Sequence, residues 1–259
     1  MNEIRPITDI SKYNKGMRQS LIDKTYFLDK VEADIFVDFG CADGILLKYM
    51  NNLFPEHDYI GYDFSKEMIA KAAKGLPETV ALFDDLKDLT QHLTTIKKGK
   101  KTCLILSSVI HEVYSYSNPD LFWEEVFSMD FDFIAIRDMC VSNTCSRPSD
   151  PITVARVYQI FDTELLTDWE SMWGSLDENW SLTHFFLTYR YSENWQRESR
   201  ENYLPITKER LLQLIPNHYH PHFIEHYTLP FLRDEVFNTF KVQLQERTHL
   251  KLILRKSHS

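Results

Sequence analysis

The first 140 residues alternate short apolar runs with amphipathic stretches, and that rhythm leaves few folds open. "IFVDFG" reads as a buried strand and "GILLKYMNNLF" as the helix after it. "YIGYDFS" reads as a second strand, and "SKEMIAKAAKGL" as its helix, with Ser65 as N-cap. "TVALFDD" and "TCLILSS" supply a third and a fourth strand. "NPDLFWEEVFSM" is a helix capped by Asn118 with Pro119 at its first position, and "FDFIAIRDM" is a fifth strand. Strands and helices in this order build a parallel sheet covered on both faces, and right-handed crossovers make it doubly wound. The expected class is therefore α/β.

Beyond residue 140 the rhythm changes. "CVSNTCSRPSDP" is turn-rich and reads as a loop, and residues 152 to 200 look mainly helical, with Trp169, Trp173, Trp180 and Trp195. "TKERLLQLIP" is a helix with Thr207 as its cap, and "HFIEHYTLPF" and "THLKLILRK" are two closing strands. The expected organisation is one domain over 1–259. An N-terminal helical cap takes 1–30, a ligand-binding core 31–140, a helical cover 141–205 inserted after the fifth strand, and a closing helix and strands 206–259.

Charge and cysteine usage narrow the setting. Lys and Arg number 29 against 38 acids, so the net charge is −9, which repels duplex DNA. Cys41, Cys103, Cys140 and Cys145 form no Cys-x-x-Cys pair, which suits a reducing compartment. The opening "MNEIRPITDISKYNKG" has no apolar signal core, and no run of about 18 apolar residues occurs. A cytoplasmic setting without membrane insertion is expected. "NHYHPHFIEHY" holds four histidines, but their spacing matches no common zinc pattern, so no metal is expected.

The chemistry is concentrated where the first strand meets its helix. In open α/β sheets, ligands bind beyond the carboxyl ends of the strands. Gly40 permits a tight turn there, Gly44 permits close helix packing, and free N–H groups at the helix start can meet a polar ligand group. Asp63 ends the second strand, where a carboxylate can accept both hydroxyls of a ribose. Together these indicate an adenosine-containing ligand. A dinucleotide site wants G-x-G-x-x-G, which Gly40-Cys41-Ala42-Asp43-Gly44-Ile45 does not supply. Asp38 and Asp43 would repel a pyrophosphate but suit the ammonium of a sulfonium cofactor.

"VDFGCADG" resembles the first motif, D/E-x-G-x-G-x-G, of the class I S-adenosylmethionine-dependent methyltransferases. "YIGYDFSKEMIAKA", "ALFDDL" and "LILSSVIHEV" are similar to the second, third and fourth motifs of that family, in order and spacing over residues 31 to 140. The resemblance implies a Rossmann-like, mostly parallel seven-stranded sheet whose seventh strand runs antiparallel. It implies S-adenosyl-L-methionine as cofactor and S-adenosyl-L-homocysteine as product. The implied cofactor contacts are Asp38, Gly40, Cys41, Ala42 and Gly44 from the first motif, and Asp63, Phe64, Ser65 and Met68 from the second. Asp84 or Asp85 and Leu86 follow from the third, Ser107 and Ser108 from the fourth. Ala42 departs from the motif, which has glycine there; alanine is tolerated if φ stays negative.

His111 and Glu112 lie in the fourth motif, which borders the transferring methyl in the family, and either is a candidate base. Purely packing or hydrogen-bonding roles for His111 carry equal weight. Tyr114, Tyr116 and Arg137 are candidate acceptor contacts, with Asp138 sharing the place of Arg137; a structural ion pair is the competing reading for Arg137. The expected function is methyl transfer to an O, N or C atom, most simply of a small molecule. RNA- or protein-directed transfer and a non-catalytic binder or sensor stay open, as does a homodimer.

Overall fold

A computed structural model of the chain describes residues 20–257. Seven strands form one sheet in the order β3-β2-β1-β4-β5-β7-β6. β1 is Ile35–Phe39, β2 Asp58–Tyr62, β3 Ala81–Phe83, β4 Thr102–Ser107 and β5 Phe133–Met139, all parallel to one another. β6 is Tyr219–Tyr227 and β7 is His249–Lys256, and β7 runs antiparallel to both β5 and β6.

Register sets the height of everything at the sheet's upper edge. Phe39 lies opposite Tyr62 of β2 and Leu106 of β4, so the residues after these strands emerge side by side. β1 is also where the strand order reverses, with β2 on one side and β4 on the other, and the crevice of a doubly wound sheet opens at such a point.

Two helical layers bury the sheet. α1 is Leu21–Lys24, α2 Ile45–Leu53, α3 Lys66–Gly75, α4 Leu86–Ile96, α5 Ile110–Tyr116 and α6 Pro119–Ser128. Leu89, Leu93, Phe122 and Val126 of α4 and α6 pack on Val37, Leu104 and Ile134. Leu46, Leu47 and Met50 of α2, with Phe27 and Val31, pack on Phe36, Ile105 and Ala135. Alternate strand residues thus face opposite layers, as the two-residue repeat requires. Tyr26 pins the N-terminal segment to the sheet by donating to the Ile136 and Leu252 carbonyls at 2.8 and 2.9 Å.

The inserted cover has its own core. α7 is Pro151–Ile160, α8 Thr163–Trp173, α9 Asn179–Thr188 and α10 Trp195–Glu198; α11, Lys208–Gln213, leads into β6. Trp169 is fully buried and meets His184, Phe185 and Trp195 with ring centroids 4.7, 5.8 and 6.1 Å away. This core continues into Leu232, Val236 and Phe240 of α12, Pro230–Phe240.

Several expectations need correction. Residues 110 to 116, for which the sequence reading named no element, form α5, whose first N–H, that of Ile110, donates to Asp138 at 2.7 Å. α4 and α12 escape notice in the sequence, since charged and polar residues crowd their short apolar stripes. The third strand is three residues, not seven. Of the N-terminal cap, residues 1–19 lie outside the described residues, and 20–30 hold the four-residue α1 and turns.

Candidate functional site

One cavity of about 910 Å³ runs along the carboxyl ends of β1, β2, β4 and β5 and continues beneath the cover. Its first wall is the turn after β1. Gly40 adopts φ +79°, and a Cβ there would come within 2.9 Å of Val109 Cγ2, so glycine is required by both conformation and space. Gly44 caps α2 at φ +76°, and a Cβ there would strike Leu76 Cδ1 at 2.6 Å; it serves the packing of α2 on α3 and does not line the cavity.

Five of the N–H groups of the turn and helix start are used within the protein, leaving those of Leu46 and Leu47 in the first turn of α2 as the ones the sequence reading can draw on. Those of Gly40 and Cys41 donate to the Tyr62 carbonyl, that of Gly44 to the Cys41 carbonyl, and that of Ile45 to Asp43. The Ala42 N–H donates to Asp63 Oδ2 at 2.9 Å, and the Ser65 N–H to Asp63 Oδ1 at 2.9 Å. Each Asp63 oxygen is thereby fixed by one backbone donor and keeps a lone pair for a further hydroxyl. Burial raises the Asp63 pKa while those two N–H bonds oppose the rise. The condition under which alanine is unstrained at position 42, a negative φ, is not met: φ is +48°, and in this conformation the Ala42 N–H reaches Asp63.

Asp38 is 3 % exposed at the base of the cavity, and burial lifts its pKa to about 7 against the pull of Lys24. Lys24, also buried, lines the same wall, and burial together with Arg137 lowers it to about 8. Cys41, Ala42, Asp43, Phe64, Leu86, Ser107 and Ser108 also line the cavity.

Other residues expected at the site lie elsewhere. Ser65 caps α3, its Oγ accepting the Met68 N–H at 3.3 Å, and neither residue reaches the cavity. Asp85 caps α4 by accepting from the Lys87 and Asp88 N–H groups, and Asp84 faces Lys66 at 3.9 Å; neither lines the cavity. Tyr114 turns toward α6, its hydroxyl accepting from Trp123 Nε1. The four cover tryptophans pack in the cover's core and none lines the cavity.

Farther along the cavity the structure unites His111, Glu112, Tyr116 and Arg137. His111 is buried, with Nδ1 2.9 Å from Asp138 Oδ1. Burial pulls its pKa down, but the Asp138 carboxylate outweighs this and lifts it to about 9. The imidazole is therefore protonated at neutral pH. Asp138 itself is filled by the Ile110 and Met139 N–H groups and His111, so it faces α5 and not the acceptor. Arg137 donates through Nε to Asp23 at 2.9 Å and through Nη1 to Ser108 Oγ at 3.1 Å. The ion-pair reading of Arg137 thus holds, while the residue also lines the cavity.

The cover contributes residues that the sequence did not single out. Arg197 meets Glu201 at 2.8 Å and Glu198 at 3.3 Å, with Glu112 at 3.8 Å. Tyr116 donates to Glu201 at 3.3 Å, and Tyr203 donates to Glu198. Burial, with Glu198 and Glu112 nearby, raises Glu201 to about 7 despite Arg197. The i, i+4 spacing of Arg197 and Glu201 was the visible sign of this pair.

Asp38, the Gly40 turn and Asp63 thus stand together at one edge of a doubly wound sheet, lining one cavity. Residues 37–129 match the sequence model of a methyltransferase domain. The matched stretch spans the first four motifs whose resemblance to the class I S-adenosylmethionine-dependent methyltransferases the sequence shows, so the chain carries a methyltransferase domain over these residues. No curated relative matches it. Among solved structures, an S-adenosylmethionine-dependent methyltransferase from Anabaena variabilis is similar at 13% identity and TM-score 0.51, covering 99% of each chain, a likeness of fold. The plantazolicin methyltransferase BpumL, solved with a monoazolic desmethylPZN analog and SAH, is similar at 15% identity and TM-score 0.49, over 96% of this chain and 86% of that one.

Proposed function

We propose that this chain is a methyltransferase that moves the methyl group of S-adenosylmethionine to an O, N or C atom of a small-molecule acceptor. The observation that carries this is the continuity of the cavity, which runs from Asp63 under the cover to Tyr191 and Phe231. Its volume of about 910 Å³ lies at the top of the usual range for ligand pockets, which suits two molecules side by side. A non-catalytic binder whose acceptor chamber is filled by cover side chains does not fit this shape.

Asp63 would hold the ribose hydroxyls, Phe64 and Leu86 the adenine edge, and Asp38 with the Gly40 turn the amino-acid end. When bound, the cofactor supplies a methyl already activated on a sulfonium. The protein's part is then mainly to orient the acceptor and exclude water. Leu187, Tyr191 and Tyr203 of the cover roof the acceptor end, so the insertion after β5 does the excluding. His111 holds a proton at neutral pH, which makes it a hydrogen-bond donor to the acceptor before it is a base.

The test has two arms. Calorimetry with S-adenosylhomocysteine should show tight one-to-one binding, and labelled methyl from S-adenosylmethionine should enter the small-molecule fraction of a lysate. Label entering only RNA or protein would replace the acceptor class. Binding with no transfer to any fraction would leave a binder and no enzyme.

A further inference from the structure

We propose that the acceptor is a carboxylate, methylated on oxygen to give a methyl ester. The inference rests on the methyltransferase reading above and names its acceptor chemistry. It comes from asking which charged groups around the cavity already have partners.

The acids of the cover wall are taken. Glu198 and Glu201, each 2% exposed, are held by Arg197, Tyr203 and Tyr116. Asp138 is filled by two backbone N–H groups and His111, and Asp23 by Arg137, Lys251 and Tyr227.

The donors are less fully used. Arg137 is 4% exposed, and its Nη2 has no hydrogen-bond partner among the described residues. Ser107 Oγ, on the β4 residue paired with Arg137 in the sheet, likewise has none. His111 commits Nδ1 to Asp138 and turns its Nε2 edge the other way, while the residue lines the cavity. A buried guanidinium nitrogen without an acceptor is costly, and a carboxylate is the planar anion that a guanidinium fork fits. Leu187, Tyr191, Leu229 and Phe231 add an apolar and aromatic surface to this chamber, which suits an acid with a hydrocarbon or ring body.

Protonation separates a carboxylate from its rivals. An amine or a phenol must shed a proton before it attacks, and His111 already carries one. A carboxylate is anionic at neutral pH and needs no base. A lone pair on its oxygen forms the O–CH3 bond while the C–S bond breaks and its electron pair stays on sulfur. No proton moves and no further reactant is required.

A methyl ester releases methanol in mild alkali, whereas N-methyl, C-methyl and ether products do not. The wild-type protein, methyl-labelled S-adenosylmethionine and the small-molecule fraction of a lysate should give label that becomes volatile on alkali treatment. Alkali-stable label would overturn the proposal while leaving the methyltransferase reading intact; no label in any fraction would overturn both. Arg137→Gln, with Arg137→Lys as the variant that keeps the charge beside Asp23, should lower ester formation about ten- to a hundredfold. Calorimetric affinity for S-adenosylhomocysteine should stay within about twofold. Loss of that affinity in step with turnover would put Arg137 on the cofactor and overturn the assignment. If neither variant folds, the alkali-release result on the wild type decides.

Discussion

The two halves of the cavity are built by different means. The wall at the turn after β1, which we assign to the cofactor, is set by backbone: Gly40 at positive φ, and two N–H groups that fix Asp63. The cover wall is set by side chains: an arginine among three carboxylates, closed by tyrosine hydroxyls over an aromatic core. A backbone-built wall is rigid and indifferent to the acceptor. A side-chain wall can change with substrate, at the cost of burying charge that must stay paired.

The largest effect should fall on the cover's core. Trp169→Ala removes a fully buried indole from contact with His184, Phe185 and Trp195. It should cost about 3–5 kcal/mol, seen as a lowered denaturant midpoint. Because this core continues into α12, which follows β6, unfolding should remain one transition. A separate early transition for the cover would show that the two halves fold independently and would sharpen the contrast between them.

On the cofactor side, Asp63→Ala should weaken S-adenosylhomocysteine by about 1.5–3 kcal/mol in calorimetry, the worth of charge-assisted hydrogen bonds. It also strips the Ala42 and Ser65 N–H groups of their acceptor, so melting temperature should fall too. Unchanged affinity would remove Asp63 from the site.

These two halves differed in how far they could be read from sequence. Asp38, Gly40 and Asp63 stand out because strand ends are marked by apolar runs and a glycine marks a turn, both local signals. Asp84 and Asp85 misled because an acid after a strand also makes a good helix cap, and Asp85 is used that way. Arg197, Glu198 and Glu201 look like ordinary surface charge in "QRESRE"; only the tertiary fold buries them, with Arg197 near Glu112 and Glu201 bonded to Tyr116. Lys24 is hidden for the same reason: nothing local says that a lysine at a short helix will be 5% exposed. The tryptophans drew attention by type, yet fill the cover's core and leave the cavity to Tyr116, Tyr191 and Tyr203.

His111 links the halves and gives a pH test. Its folded pKa, about 9, is raised above the unfolded value near 6.5. Its stabilising contribution is therefore complete below the unfolded pKa and is lost as pH rises through the folded one. Stability should fall between pH 7 and 9 by up to about 1.4 kcal/mol per pH unit. Lys24, lowered to about 8, contributes with the opposite sign from about that pH upward, so the wild-type curve alone mixes the two. The difference between wild type and His111→Gln isolates the histidine. A difference that stays constant across this window would mean that the Asp138 pair does not hold the proton.

The smallest effect concerns Ala42, where the family motif has glycine. A negative φ would make Ala42→Gly mildly destabilising, because glycine adds freedom to the unfolded chain by about 0.4–1 kcal/mol. The observed φ of +48° reverses the sign. An L-residue in the left-handed region crowds its Cβ against the following carbonyl, at a cost of about 1–2 kcal/mol, which glycine avoids. The two terms oppose each other, and the conformational one is slightly larger. Ala42→Gly should therefore raise stability by up to about 1 kcal/mol, with the Ala42 N–H still donating to Asp63. Affinity for S-adenosylhomocysteine should hold or improve, because the methyl group that lines the cavity is removed while the hydrogen bond stays. Matched denaturation curves and calorimetry on the two proteins would show this. A clear loss of stability would mean that the turn relaxes to negative φ and that Asp63 is held by Ser65 alone, which would weaken the case for a cofactor wall built by the backbone.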